Sequence, residues 1–158
     1  YTGLLPITRT ETGLAVVIGH EVGHALARHG AERMSDQIVA AVGVTAAAAV
    51  LAGTTSGRNR SYLPLMMGAL GAGATVGYLL PMSRTQEAEA DRIGLVLMAM
   101  AGYDPREAVG LWERMRAASR GKSKPPEWLS THPSDDTRIA NIRAALPEAM
   151  KYYRPRND

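Results

Sequence analysis

Apolar residues recur at helical spacing through most of this chain, and the pattern predicts a mainly α protein. Thr10 or Thr12 can cap a first helix over residues 10–34, with Leu14, Val17, Ile18, Ala25 and Leu26 near one face. Ser35 and Asp36 offer a fresh cap for an Ala- and Val-rich segment, Gln37 to Gly53. After a polar loop, "TTSGRNRS", a second charge-free segment runs from Tyr62 to Met82; the two form a helical hairpin over 37–82. Ser83 with Gln86 three residues on has the pattern of a capping box, opening a helix over 83–101 that stops near Gly102. Asp104 and Pro105 start another, carrying Val109, Leu111, Trp112 and Met115. A Lys/Pro/Ser-rich loop over 121–131 and a short helix capped by Ser134, with Ile139, Ile142 and Leu146, complete residues 104–158. Residues 1–8, "YTGLLPIT", read as the end of a strand and a loop.

Composition narrows the class. At 158 residues with 46% hydrophobic and 21% charged positions, the chain is one globular domain able to bury a core. The net charge of +3 comes from basic residues that alternate with acids along helices, which is a solvated face and not a nucleic-acid stripe. No nucleic-acid partner is expected. The absence of cysteine excludes a disulfide framework and a thiolate metal site. The charge-free segments approach the roughly 20-residue length of a membrane span. Their Gly and Ala content suits close helix contacts inside a protein equally well, so membrane association stands as an open alternative.

Chemistry concentrates in "GHEVGHALARHG", Gly19 to Gly30, which holds three of the four histidines. His20 and His24 are one turn apart and share a face, so their imidazoles can converge on one ion. Glu21 points to the side, placed to take a proton from a water on that ion. His29 falls five residues after His24 and rotates away on a continuing helix, which reads as structural. The third ligand is sought in "SRTQEAEADRIG". Glu87 and Asp91 are four apart and share a face, while Glu89 points nearly opposite. Glu87 is the expected third ligand. Asp91 is expected to accept the free N–H of a ligating imidazole and so fix its tautomer. Trp112 and Trp128 read as core or loop anchors, and Arg114 and Arg116 as solvated.

His20-Glu21-Val22-Gly23-His24 followed by Ser83 to Asp91 resembles the gluzincin zinc metallopeptidases of the HtpX and CAAX prenyl protease type, in particular soluble bacterial and mitochondrial quality-control peptidases. "YTGLLPIT" and "STHPSDDTRI" resemble two further motifs of that family. The resemblance implies a helical zincin-like metallopeptidase domain over 1–158, its small N-terminal antiparallel sheet largely missing from the chain. It implies Zn2+ as cofactor, protein or peptide substrates, and a bacterial cell envelope location, periplasmic or membrane-associated. It also implies a role near the metal for His132, as oxyanion stabiliser or as occupant of the open zinc position, against a bystander in a surface loop. Arg138 is expected to steady that loop through a carboxylate or a carbonyl, against an ordinary exposed helical arginine. The competing expectation is a non-catalytic or latent helical chaperone or interaction module with a structural metal. Glu21 separates the two, because a structural site needs no base beside its ligands.

Overall fold

The computed structural model describes residues 2–120, 132 and 136–156, and among them it is helical without a strand. The expected loop over 121–131, Trp128 and the Ser134 cap lie outside the described residues. Among the described residues seven α-helices follow in chain order: α1 (Leu5–Thr8), α2 (Glu11–Leu26), α3 (His29–Thr54), α4 (Leu63–Ala74), α5 (Leu80–Met100), α6 (Glu107–Ser119) and α7 (Asp136–Ala149). Two compact units result, one of residues 1–27 with 87–158, the other of residues 28–86.

The first unit is built around Trp112, Leu111, Met115, Ile142, Met98, Leu95 and Val17, all buried. α2 begins at Thr10, whose hydroxyl accepts the Gly13 N–H at 3.0 Å and satisfies one free donor of the first turn. α2 and α5 then cross at very short range. A Cβ placed on Gly23 would sit 2.6 Å from the Ala90 carbonyl oxygen, and one on Gly94 2.8 Å from the Gly19 carbonyl carbon. Small residues at four-residue spacing on both helices (Gly19/Gly23 and Ala90/Gly94) let the backbones touch. α5 ends where expected: Gly102 takes φ +84, and the Tyr103 N–H closes on the Met98 carbonyl at 2.9 Å. Asp104 accepts the Arg106 N–H at 2.9 Å ahead of α6. Beyond α7, Arg156 reaches back to Glu11 at 3.1 Å and to the Tyr103 hydroxyl at 2.6 Å.

Four expectations are corrected. Residues 2–8 are no strand: Thr2–Leu4 form a 3₁₀ turn and Leu5–Thr8 a turn of α-helix. Pro6 lies in the first turn, where a missing N–H costs nothing, and Leu4 and Ile7 come onto one buried face. The first helix does not run to residue 34. It stops at Leu26, Arg28 adopts φ 59 in the left-handed region, and His29 to Met34 belong to α3. No Gly or Pro marks that break; Gly30 stands two residues too late. Ser83 does not open a helix, because α5 starts at Leu80 and continues directly from a π-helical segment over Thr75–Leu79. That wider turn accommodates Pro81, which lacks an N–H and would clash with an ordinary preceding turn. Arg114 is not simply solvated: its Nε donates to the Ile7 carbonyl at 2.9 Å and its Nη2 to Glu107 at 2.7 Å.

The second unit is a helical hairpin, α3 packing against α4 and the π segment. At its base Gln86 is buried, donating to Glu32 at 2.9 Å and accepting from Arg33 at 2.8 Å. The Tyr78 hydroxyl donates to Asp36 at 3.0 Å. Above that base the surface is apolar on all sides: Ile38, Val39, Val42, Val50, Leu65 and Val76 are each more than half exposed.

Candidate metal centre

The α2/α5 crossing brings His20 and His24 of α2 against Glu87 and Asp91 of α5, as the spacings require. His20 is 1% exposed. Its Nδ1 lies 2.9 Å from Asp91 Oδ1, and an ionised carboxylate only accepts, so Nδ1 carries the proton and Nε2 presents a lone pair. That lone pair faces His24 Nε2 at 3.0 Å, His132 Nδ1 at 3.1 Å and Glu87 Oε2 at 3.3 Å. Glu87 Oε1 is 3.2 Å from His24 Nε2, and its Oε2 is 2.9 Å from His132 Nδ1.

These four side chains fit a metal ion. One donor atom from each lies within 4.8 Å of the other three. A tetrahedral ion with bonds near 2.0–2.1 Å would set its ligands about 3.3 Å apart, close to the spacings here. The donors are imidazole nitrogens and a carboxylate, which attract a borderline cation and are crowded without one.

Charge around the cluster is organised by Arg138 of α7, itself only 6% exposed. Its Nε and Nη2 each donate to Asp91 at 2.8 Å, a two-pronged pair, and its Nη1 donates to Glu87 Oε2 at 3.0 Å. Burial alone would push the Glu87 carboxyl up. Hydrogen bonds from His132 and His24 and the Arg138 charge overcome it and hold the group far below the usual carboxylate range. Asp91 is also held down, burial again opposed by His20 and Arg138. Both carboxylates therefore stay charged, the state a cation needs.

Among the other expected residues, Glu21 is exposed on α2, its Oε1 3.6 Å from His132 Nε2. His132, placed near a metal by resemblance alone, is buried inside the cluster. Arg138 grips carboxylates on α5. Glu89 is exposed, and His29 is buried outside the group. Sequence reasoning missed two contributors: the four small residues of the crossing, whose four-residue spacing was the available signal, and Trp112, whose ring lies under Arg138 and left no signal beyond an apolar face.

A helical domain with two histidines a turn apart and a carboxylate from a second helix defines the class of metallopeptidases with an HExxH helix. The chain belongs to peptidase family M48, whose sequence profile matches residues 1–146. It is 42% identical over 150 residues to the mitochondrial metalloendopeptidase OMA1 of Schizosaccharomyces pombe, covering 95% of this chain and 41% of that protein. It is 33% identical over 147 residues to the beta-barrel assembly-enhancing protease of Yersinia pestis, covering 90% of this chain and 29% of that protein. The human metalloendopeptidase OMA1 is 30% identical over 165 residues, covering 96% and 29%. The chain thus spans about two fifths of the length of its yeast relatives. No solved structure matches it.

Proposed function

We propose that this chain carries the catalytic centre of a zinc metalloendopeptidase acting on proteins, with His20, His24 and Glu87 as metal ligands and Glu21 as general base. The observation that carries this is the four-donor cluster, with Asp91 fixing the tautomer of His20. When bound, zinc would supply Lewis acidity, bringing the pKa of a water toward ~7 and polarising the scissile carbonyl. Glu21 takes the proton of the attacking water and delivers it to the amine as the C–N bond breaks. Asp91 and Arg138 keep the ligands oriented and touch no substrate.

His132 adds a fourth protein donor, and geometry favours it as occupant of the position a substrate carbonyl needs. The conformation described is then a latent one. Four protein donors is also the count of a structural zinc site, which favours the non-catalytic reading. One measurement separates them. Wild-type chain should contain zinc and cleave casein slowly, with a chelator abolishing cleavage. His132→Ala should keep the zinc and cleave at least about tenfold faster, since a catalytic site needs only three protein ligands. A zinc-loaded His132→Ala variant without chelator-sensitive cleavage sinks the catalytic reading.

We further propose that the hairpin inserts in a lipid bilayer. Residues 37–53 and 62–82 contain no charged side chain, and at 1.5 Å per residue they span about 25 and 31 Å, close to the ~30 Å hydrocarbon core. The helix His29–Thr54 and the continuous helical run Asn59–Met100 are long and apolar enough to cross a membrane. The belt is apolar all round, which suits lipid better than a one-sided protein groove. Charges flank these segments, Arg60 between the two and Glu32, Arg33 and Asp36 ahead of the first. The bacterial cell envelope is the compartment we propose, on the likeness to the Yersinia pestis protease. The chain should float with phosphatidylcholine vesicles in a density gradient, and Val42→Glu should leave it at the bottom. Flotation unchanged by the charge removes this reading.

A further inference from the structure

Under the metal-binding cluster lies a side chain that belongs neither to the ligand set nor to the charged groups around it. Trp112 of α6 is 1% exposed, and the Arg138 guanidinium carbon stands 3.5 Å from the centre of its ring. The same indole and the His20 ring meet edge to face, centroids 6.1 Å apart at 74°. Arg138 spends its N–H groups in its own plane: Nε and Nη2 on Asp91, Nη1 on Glu87. Nη2 also lies 3.2 Å from His20 Nδ1. A planar fork donates only along its edge, and the indole supports the face that no N–H reaches.

The environment makes this support more than packing. A buried cation gains from the negative face of an aromatic ring, most from Trp, and gains more where water is excluded. An aliphatic side chain at position 112 would offer no such face. A void of about 10 Å³, lined by Val16, His20, Asp91, Trp112 and Ile142, adjoins the contact. Without the indole, the guanidinium and the His20 ring have room to tilt. The two carboxylates that Arg138 holds are the ones that address the ion: Glu87 directly, Asp91 through His20.

We propose that Trp112 is a positioning residue of the metal centre, its indole face setting the plane of Arg138 and thereby the orientation of Glu87 and Asp91. The proposal rests on His20, His24 and Glu87 being metal ligands, and the test keeps the two apart. Zinc affinity is measured by competition with a chromophoric chelator, alongside Tm and the visible absorption of the Co2+-substituted chain. Trp112→Phe and Trp112→Met both shrink the side chain and should both lower Tm. Loss of outer support typically weakens metal binding about 10–100-fold, and Trp112→Met should show that loss with an altered Co2+ spectrum. Trp112→Phe, which keeps an aromatic face, should bind zinc nearly as wild type does. Arg138→Lys keeps the charge without the planar fork and should reproduce the loss with no change in the core. Adding Trp112→Met to Arg138→Lys should then cost nothing further.

If zinc affinity simply follows Tm in both Trp112 variants, or if Arg138→Lys binds zinc as tightly as wild type, the proposal is overturned. Should Trp112→Met not fold, the Trp112→Phe and Arg138→Lys measurements decide alone. Wild-type chain that binds no zinc would instead overturn the ligand set on which the proposal stands.

Discussion

Glu21→Gln is expected to abolish peptide-bond cleavage while leaving metal content and fold unchanged. The amide keeps the size of the side chain but cannot take a proton, and loss of general-base assistance is worth roughly two to four orders of magnitude. Glu21 is exposed and is absent from the four-donor group, so its replacement removes no ligand. The test is cleavage of an unfolded protein by variant and wild type, with zinc measured on the same samples. It is best run in the His132→Ala background, where the fourth position is free. Cleavage at the parent rate would show that the proton goes elsewhere. Loss of zinc together with activity would show that Glu21 acts on the metal itself.

The second large effect is expected at Gly23. Alanine favours a helix over glycine by about 1 kcal/mol, and on that count alone Gly23→Ala would stabilise α2. The crossing reverses the sign. The new methyl would lie 2.6 Å from the Ala90 carbonyl oxygen and 3.1 Å from its Cα, and a backbone cannot rotate aside as a side chain can. Overpacking of this kind costs about 1–3 kcal/mol, and relief comes only by moving α2 from α5. That movement parts His24 from Glu87 and His20 from Asp91, so zinc affinity should fall tenfold or more even where the helices persist. Gly30→Ala, with nothing within 4 Å of the added carbon, serves as control and should bind zinc normally. Equal zinc affinity and Tm in both variants would mean that the close approach of α2 and α5 is not needed.

What the sequence made readable follows from the range over which each signal acts. His20 with His24 and Glu87 with Asp91 are one-turn relations on helices, and helical periodicity alone put each pair on a face. That the faces meet is a long-range fact, and only the resemblance supplied it. His132 and Arg138 depended on it more heavily, since nothing local in a Pro-containing segment points toward residues 45 or more positions away. Two local readings failed for local reasons. Ser83 and Gln86 have the residues of a capping box, but the π-helical turn before Pro81 keeps the chain helical, so the donors Ser83 would cap are already engaged. The break at Arg28 has no sequence marker, because the residue that turns left-handed there is an arginine. The Gly19/Gly23 and Ala90/Gly94 pattern was visible and meant contact; it was the proximity of α2 and α5 written in small residues.

The order of the ligands along the chain has a consequence for how the domain comes apart. His20 and His132 are 112 residues apart, and the hairpin of residues 28–86 lies between His24 and Glu87. An ion gripping all of them is a removable staple across a very long loop. On the chain-entropy reckoning used for covalent cross-links, closing a loop of that size restricts the unfolded chain by about 4–5 kcal/mol. An ion held in this way would lock α2, α5 and His132 into one body, and a chelator would act on the chain as a mild denaturant.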